Sequence, residues 1–318
     1  MSGASPNTVL VTGGSGFVGG HLLRMLAGLD DPPGRVVVMD VRPPADSAVE
    51  FVACDLTDAE PVGAAVERIR PDGIVHLAGI ARGADLGAFL RANVLACDHL
   101  LAASSRLDPP PRVLVVGTAA QYGIVSGGHE VVAESRPLLG RTPYGLSKTM
   151  QERWALLRGR EQGVPVVCVR PFNIMGPGQP DSLVPAAFLR QVADVRAGRA
   201  EFVEVGNLDT SRDFLDVRDV CAAMWALMTA EESRVAGSVF NIASGEPLAV
   251  REVLEFCVAL GGGAEVRQDP RRLKASDVPV IVGDASHLRA CTGWRPRFGW
   301  RESVESMWRD LSGAAADA

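Results

Sequence analysis

The sequence lacks the features that mark metal sites, secreted proteins and membrane proteins. No two of its six cysteines stand at metal-ligand or redox spacing, so we expect buried free thiols in a reducing compartment. The five histidines form no H-x-x-x-H pair, and we predict no metal. The start, MSGASPN, lacks the basic and apolar parts of a signal peptide, and no run of about 18 apolar residues predicts a membrane span. We therefore expect a cytoplasmic location.

Lysine and arginine are nowhere concentrated in a block. The formal net charge is −6, which disfavours nucleic acid and membrane surfaces as partners. The chain has 318 residues, of which 47% are hydrophobic, enough for two domains with a sizeable core. A small-molecule partner is the remaining expectation.

Short runs rich in Val, Ile and Leu alternate with helical patterns through the first half of the chain. The runs are TVLVTG, RVVVMD, VEFVACD, GIVHLAG, RVLVVGT and VPVVCVRPF. This alternation predicts the α/β class, with a doubly wound parallel sheet that helices cover on both faces. The alternation stops after Pro171. We therefore expect one domain from residues 1–170 and about 213–244, and a smaller second domain from residues 171–212 and 245–318.

A glycine-rich turn lies between the first strand and the first helix. Gly13, Gly16 and Gly19 in VLVTGGSGFVGG are spaced as G-x-x-G-x-x-G. The glycines permit a tight turn and close approach to a pyrophosphate, and the helix that starts near Phe17 and Val18 offers free N–H groups. The turn is therefore predicted to bind the phosphates of a dinucleotide.

A carboxylate ends the second strand. Asp40 follows the glycine turn by about 20 residues, where an acidic side chain accepts hydrogen bonds from an adenosine ribose. This favours NAD over NADP. Arg42 stands two residues later and could meet a 2′-phosphate, so both cofactors stay open.

One of only two tyrosines, Tyr144, stands four residues before Lys148 in TPYGLSK. Thr142 and Pro143 predict a helix start, and the helix should run to about Gly163. Tyr144 and Lys148 then share one face. We expect the ammonium to lower the phenol pKa from about 10 toward neutrality, which suits proton transfer to a carbonyl oxygen. Four apolar residues of this helix are expected to face the core: Leu146, Met150, Trp154 and Leu157.

Together these motifs resemble the extended branch of the short-chain dehydrogenase/reductase superfamily. CDLTD and VHLAG fall between the glycine turn and PYGLSK in the expected order. The resemblance implies that the first domain is a Rossmann-type dinucleotide-binding domain and that the second is a smaller α/β domain that binds a sugar nucleotide as substrate. It implies a homodimer formed by the helix that carries Tyr144 and the helix before it. It also implies further cofactor-binding residues: Asp55, Leu56, Ala78, Gly79, Asn93 and Pro171.

The resemblance also implies a third catalytic residue. Thr118, in VLVVGTAAQYG, would bind the substrate carbonyl oxygen beside Tyr144 and Lys148. Tyr122 is expected to form a wall of the pocket. Ala119 and Ala120 stand where sugar-nucleotide 4,6-dehydratases carry an Asp or Glu, so water elimination would lack its acid or base.

Two later stretches narrow the resemblance. VGNLDTSRDFLDVRDV (205–220) and RRLKASDVPVIVGDASHLRACTGWRP (271–296) are similar to GDP-6-deoxy-4-keto-D-mannose reductases and the neighbouring GDP-mannose 4,6-dehydratases. RPFNIMGPGQP resembles a loop that leads to a sugar nucleotide, and Lys274-Ala275 departs from the usual Arg-Pro. The implied substrate-binding residues are Asn173, Asn207, Arg212, Arg272 and Lys274.

The expected function is NAD(P)H-dependent reduction of the 4-keto group of a nucleotide-linked 4-keto-6-deoxy sugar. The GDP-linked sugar, GDP-4-keto-6-deoxy-D-mannose, is favoured. An NAD-dependent nucleotide-sugar epimerase is the first alternative, because it uses the same three catalytic residues without net redox change. A 4,6-dehydratase is disfavoured, and a dinucleotide-binding protein without catalysis also stays open.

Overall fold

The computed structural model describes residues 5–46, 48–83, 85–123, 131–272 and 280–316. Strands and helices alternate through the first part of the chain. In order, they are β1 (Thr8–Thr12), α1 (Phe17–Ala27), β2 (Arg35–Asp40), β3 (Glu50–Ala53), α2 (Ala59–Ile69), β4 (Gly73–His76), α3 (Leu86–Phe89), a π-helical segment (Leu90–Leu95), α4 (Ala96–Ser104), β5 (Arg112–Val116), a 3₁₀ turn (Ala119–Tyr122), β6 (Val131–Val132), α5 (Pro143–Gln162) and β7 (Val166–Pro171). The three segments from Leu86 to Ser104 form one continuous helix.

Shorter strands and several helices make up the rest of the chain. They are β8 (Asn173–Met175), α6 (Ala186–Arg196), β9 (Val203–Val205), β10 (Ser211–Arg212), β11 (Phe214–Asp216), α7 (Val217–Thr229), α8 (Glu232–Val235), β12 (Val239–Ile242), β13 (Leu248–Ala249), α9 (Val250–Leu260), β14 (Val266–Gln268), a 3₁₀ turn (Pro270–Arg272), β15 (Val280–Gly283), α10 (Ser286–Thr292) and α11 (Trp300–Ala316). The sequence predicts a loop after Pro171, but Asn173–Met175 forms a strand that pairs with Phe214–Asp216.

Seven parallel strands form the central sheet in the order β12-β7-β5-β4-β1-β2-β3. The chain runs outward from β1 through β2 and β3, then crosses back to β4 on the other side of β1. This reversal opens a crevice at the carboxyl ends of β1 and β4. The predicted Rossmann-type doubly wound sheet is therefore confirmed. The chain returns to this sheet late, when β12 pairs with β7 and α7 packs on α1.

Alternate residues of the central strands pack into two different hydrophobic layers, one on each face of the sheet. Val9 and Val11 of β1 pack in the cluster that includes α1 and α7, whereas Leu10 packs in the cluster that includes α2 and α4. All three are fully buried. Because both faces of the sheet are covered by helices, the strands are apolar throughout rather than alternating with polar residues.

A third hydrophobic cluster lies among α6, α9 and α11. Leu189 and Val192 of α6 pack there with Val253 of α9 and Val304 of α11. A four-stranded sheet, β13-β10-β15-β6, combines three strands from this later part of the chain with β6, which precedes α5. The domain boundaries given above stay a prediction.

A buried carboxylate connects the small sheet to the end of the central sheet. Asp213 Oδ1 accepts hydrogen bonds from the backbone N and the hydroxyl of Ser244, at 2.8 and 2.7 Å. Its Oδ2 accepts from the backbone N of Gly245 and Gly283, at 3.0 and 3.1 Å. Burial raises the pKa of Asp213, and the four donors oppose that rise. Segments before β11, after β12 and in β15 therefore meet at one side chain.

The helix Leu86–Ser104 is long and apolar enough, by length and composition, to cross a membrane. Arg91, Asp98 and His99 interrupt it, so the sequence still contains no continuous run of about 18 apolar residues. Ala96, Cys97 and Leu100 of this helix are buried, and α4 packs on α2 and α5. Because the helix forms part of the layer that covers the sheet, we interpret it as a core helix.

Helix α5 has the predicted ends but not the predicted buried face. Thr142 Oγ1 accepts from the backbone N of Gly145 at 3.0 Å, and Gly163 ends the helix with a φ of +70°. The four apolar residues expected in the core are 39 to 50% exposed: Leu146, Met150, Trp154 and Leu157. The buried polar residues of the helix are Ser147, Lys148, Gln151 and Glu152.

Candidate active site

A crevice runs along the carboxyl ends of β1, β4 and β5. Two adjoining cavities of about 480 and 410 Å³ share Gly13, Gly16 and Gly79 in their linings. The first also contains Asp40, Asp55, Leu56 and Ala78. The second also contains Phe17, Val18, Gly19, Thr118, Tyr144, Lys148 and Pro171. Residues that the sequence predicts for cofactor binding and for catalysis thus lie together.

The glycine turn leaves room where a side chain would fill it. Gly13 has a φ of +70°, and a Cβ there would lie 2.6 Å from the backbone N of Ala78. A Cβ on Gly19 would lie 2.6 Å from the Cα of Gly14. Gly16 precedes α1 without a side-chain cap, so the first-turn N–H groups are available to an anion. This cradle fits the pyrophosphate of a dinucleotide.

The side chains that bear on the choice of cofactor lie in the first cavity. Asp40 accepts hydrogen bonds from the backbone N of Ser15 at 3.2 Å and of Val41 at 2.7 Å. The hydroxyl of Ser15 donates to the backbone oxygen of Arg42 at 2.5 Å. Asp40 and Arg42 both line this cavity. Asp40, the predicted acceptor of ribose hydroxyls, and Arg42, the cation that could meet a 2′-phosphate, therefore stand at the same end of the crevice.

Thr118 and Tyr144 face the second cavity together. Thr118 precedes the 3₁₀ turn, and its Oγ1 accepts from the backbone N of Ala120 at 3.2 Å. Burial raises the pKa of the Tyr144 phenol above its ordinary value, and hydrogen bonding with the Thr118 side chain offsets part of that rise. The phenol is therefore neutral near pH 7, which contradicts the lowered pKa expected from the sequence.

The Lys148 ammonium is engaged away from the phenol. Its Nζ donates to the backbone oxygen of Val116 at 2.9 Å and to Gln151 Oε1 at 2.8 Å. Burial lowers the pKa of Lys148 from 10.5 to about 8. Burial, assisted by the charge of Lys148, lowers the pKa of His76 to about 3. The lysine therefore sits where burial makes positive charge costly, although its ammonium has two hydrogen-bond acceptors there.

Asn93 lies behind the crevice in the π-helical segment. It is fully buried, accepts from the backbone N of Ile80 at 2.8 Å and donates to the Ile80 oxygen at 3.0 Å. Its Nδ2 also donates to Ser147 Oγ at 2.9 Å. A Cβ on Gly79 would lie 2.6 Å from Asn93 Oδ1. Asn93 thus joins the loop after β4 to helix α5 rather than lining either cavity.

Three of the predicted substrate-binding residues, Asn173, Asn207 and Arg212, are not among the residues that line the two cavities. Asn173 Nδ2 donates to the backbone oxygen of Asp213 at 2.9 Å, and Asn207 Oδ1 accepts from the backbone N of Asp209 at 2.9 Å. Arg212 Nη1 donates to the backbone oxygen of Ser211 at 2.8 Å. The Arg272 side chain and Lys274 lie outside the described residues. The substrate roles of these five residues stay predictions.

Tyr122 is not a wall of the crevice. It is fully buried, its hydroxyl donates to Asn241 Oδ1 at 2.7 Å, and Arg170 Nη1 donates to it at 2.8 Å. Sequence reasoning also missed Gln121, Glu152 and Arg170. The guanidinium of Arg170 forms an ion pair with Glu152. The signal that could have found Glu152 is its position, four residues after Lys148 and so on the same helix face.

The chain belongs to the NAD dependent epimerase/dehydratase family, whose model matches residues 9–243. This match confirms the resemblance to the extended short-chain dehydrogenases/reductases.

Comparison with individual proteins gives matches along nearly the full length. GDP-6-deoxy-D-mannose reductase of Pseudomonas aeruginosa is 32% identical over 95% of this chain and 96% of its own. The structure of RMD from Pseudomonas aeruginosa complexed with NADPH aligns with a TM-score of 0.83 and 31% identity, over 97% and 99% of the two chains. UDP-glucose 4-epimerase of Thermus thermophilus in complex with NAD aligns with a TM-score of 0.82 and 29% identity, over 96% and 99%.

The glycine turn gives a test of the cradle. Gly13→Ala forces a side chain onto the backbone of Ala78 at a positive φ, so we expect the unfolding free energy to fall by at least about 1 kcal/mol and dinucleotide affinity to be lost. Gly20→Ala is the matched control, because its nearest atom would be an Arg24 side-chain nitrogen at 3.8 Å. Urea unfolding and fluorescence titration with NADH and NADPH measure both effects. Equal dinucleotide binding by the two variants would contradict the assignment.

The buried lysine gives a pH prediction. Its pKa falls on folding from 10.5 to about 8, so between these values the unfolded chain binds more protons. Relative to Lys148→Met, the unfolding free energy of the wild type should be flat below about pH 8. It should then rise by on the order of 3 kcal/mol up to about pH 10.5. Urea unfolding of both proteins across this range measures the difference, and a difference that does not change with pH would refute it.

Proposed function

We propose that this protein reduces the 4-keto group of a nucleotide-linked 4-keto-6-deoxy sugar with NADH or NADPH. The observation that carries the proposal is the Thr118 and Tyr144 pair at the edge of a dinucleotide-shaped crevice. Ala119 and Ala120 follow Thr118, so this turn offers no carboxylate for elimination. The similarity to GDP-6-deoxy-D-mannose reductase of Pseudomonas aeruginosa favours a GDP-linked substrate.

The side chains of the crevice supply the proton and orient the substrate and the cofactor. Thr118 Oγ1 and Tyr144 Oη hold the carbonyl oxygen of the substrate, and Tyr144 gives that oxygen its proton. The phenol carries this proton at neutral pH, because its pKa is not lowered. Lys148 binds the nicotinamide ribose through its ammonium. A reduced nicotinamide, when bound, supplies hydride to the carbonyl carbon.

The remaining assignments are part of the same proposal. The adenosine lies in the cavity lined by Asp40, Asp55 and Leu56, and Asp40 favours NAD as the cofactor. The part of the chain that contains α6, α9 and α11 forms the sugar-nucleotide domain, with the boundaries given above. Its nucleotide contacts come from Asn173, Asn207, Arg212, Arg272 and Lys274. A cytoplasmic location follows, because both the cofactor and the sugar nucleotide are cytoplasmic metabolites.

An NAD-dependent nucleotide-sugar epimerase is the second candidate. The match to UDP-glucose 4-epimerase of Thermus thermophilus in complex with NAD supports it. The two functions differ in how the cofactor is used, because an epimerase retains NAD and needs no added reductant.

The deciding assay supplies purified protein with freshly made GDP-4-keto-6-deoxy-D-mannose and either NADH or NADPH. We expect oxidation of the reduced cofactor in equal amount to a GDP-6-deoxyhexose product. The faster cofactor settles the choice between NAD and NADP. Absence of oxidation together with NAD that copurifies with the protein would instead establish the epimerase.

Tyr144→Phe tests the proton donor. Loss of the hydroxyl should lower kcat by roughly 100-fold to 10,000-fold, because no other phenol lines the described crevice. Fluorescence titration should show unchanged affinity for the reduced cofactor. Full turnover in this variant would remove Tyr144 from the mechanism, whereas loss of cofactor binding would point to a structural effect.

We also propose that two copies of the chain associate through α5 and the helix before it. Leu146, Met150, Trp154 and Leu157 form an exposed apolar stripe on α5, and Leu95 of the π-helical segment is 46% exposed. Trp154 Nε1 and Arg158 Nε both donate to Asp98 Oδ1, which fixes α5 against α4. A rigid apolar surface on two adjacent helices suits a self-complementary twofold contact.

Met150→Glu tests this contact. A charge in the centre of the stripe should convert a dimer into a monomer, which light scattering at micromolar concentration detects. Leu183→Glu is the control, because Leu183 is equally exposed, at 49%, but belongs to neither helix. A wild-type protein that is already monomeric would refute the proposal.

A further inference from the structure

Behind the crevice, one buried glutamine side chain links the backbone of Thr118 to a buried carboxylate of helix α5. Gln121 is fully buried in the 3₁₀ turn that follows Thr118. Its Oε1 accepts the backbone N–H of Thr118 at 2.8 Å, and its Nε2 donates to Glu152 Oε2 at 2.9 Å. One amide side chain therefore joins the Thr118 backbone to helix α5.

The partner of Gln121 is itself rigidly held. Glu152 forms a bidentate ion pair with Arg170 of β7, with distances of 2.7 Å to Nε and 2.6 Å to Nη2. Both residues are 2% exposed. Arg170 Nη1 also donates to the hydroxyl of Tyr122 and to the backbone oxygen of Glu134. Charge-assisted bonds of this kind have narrow geometry, so Glu152 presents a fixed acceptor to Gln121.

The turn that carries Thr118 is packed closely against Gln121, against β7 and against the start of α5. A Cβ on Gly117 would collide with Gln121 Oε1 and would lie 2.9 Å from the backbone oxygen of Val169. A Cβ on Gly145, at the start of α5, would lie 2.7 Å from the Ala120 oxygen. The turn is thus confined between β7 and the helix end next to Tyr144.

We propose that Gln121 is a positioning residue, which transmits the fixed geometry of the Glu152–Arg170 ion pair to Thr118 and so sets the spacing of the Thr118 and Tyr144 hydroxyls. The kinetic part of this inference rests on the proposed reductase function. The structural part, which is the placement of Thr118 against Tyr144, does not depend on it. Gln121 touches neither cavity of the crevice and acts only through Thr118.

The position requires an amide. The side chain must accept from an N–H on one side and donate to a carboxylate on the other, and glutamine does both at this length. A carboxylate at the same place accepts from Thr118 but repels Glu152 until one of the two acids takes up a proton. An apolar side chain leaves the Thr118 N–H without its partner.

Two variants separate these effects. Gln121→Met keeps the volume and removes both bonds, and we expect kcat to fall by about 10-fold to 100-fold with unchanged cofactor affinity. Gln121→Glu should be nearly as active as the wild type at low pH and should lose activity as pH rises. The reason is that only the protonated acid can donate to Glu152. Gln191→Met is the control, because Gln191 Oε1 also accepts a backbone N–H, from Glu204 at 2.8 Å, but on α6.

The two tyrosines of the chain give a readout that needs no substrate. Titration by tyrosine-labelled NMR shows two phenols, and the spectrum of Tyr144→Phe assigns them. If Gln121 holds Thr118 in place, Gln121→Met weakens the hydrogen bonding that favours the Tyr144 phenolate and raises the pKa of Tyr144 further. The Gln191→Met control should leave the titration unchanged.

These measurements can overturn the inference. A Gln121→Met protein that melts at a lower temperature but keeps its kcat and its Tyr144 titration would show a purely structural role. If the protein turns over no keto sugar, the reductase proposal fails, yet the Tyr144 titration still decides whether Gln121 positions Thr118. If Gln121→Met does not fold, the pH profile and Tyr144 titration of Gln121→Glu decide the question.

Discussion

The buried ion pair between Glu152 and Arg170 determines how helix α5 sits on the sheet. Removing two charges from water is costly, and the pair is tolerable only because its lone pairs and N–H groups are used. The pair therefore fixes the rotation of α5 about its axis. Lys148 lies one turn before Glu152 on the same face, so it is carried to the end of β5.

The same rotation explains why the apolar residues of α5 lie outside. An α-helix whose polar face is inside must turn its other face outward, and in α5 that face carries Leu146, Met150 and Trp154. The fold therefore leaves apolar area on the surface of this helix. Burial of the polar side chains and the exposed apolar stripe are thus two consequences of one orientation, and the proposed contact between two copies of the chain would cover that stripe.

What could be predicted from the sequence was what local patterns determine. Strand alternation, the glycine turn and both ends of α5 follow from residues within a few positions of one another, and the structure confirms them. The buried face of α5 could not be read in this way, because its partners, Gln121 and Arg170, are 31 and 18 residues away from Glu152. The interior position of Tyr122 depends on Asn241, 119 residues later. The periodicity of a helix shows where its apolar residues lie. It does not show whether its polar face will be buried by hydrogen-bond partners from distant parts of the chain.

The error in the Tyr144 pKa has a similar origin. Spacing places Lys148 one turn from the phenol, but the ammonium donates to Val116 and Gln151, and burial then dominates the phenol pKa. A neutral phenol beside the Thr118 hydroxyl is ready to give a proton and poorly suited to take one. Ketone reduction requires the first of these at neutral pH, while oxidation of an alcohol requires the second. The protonated phenol is thus the state from which ketone reduction starts, whereas an epimerase uses the phenol and the phenolate in turn within one cycle.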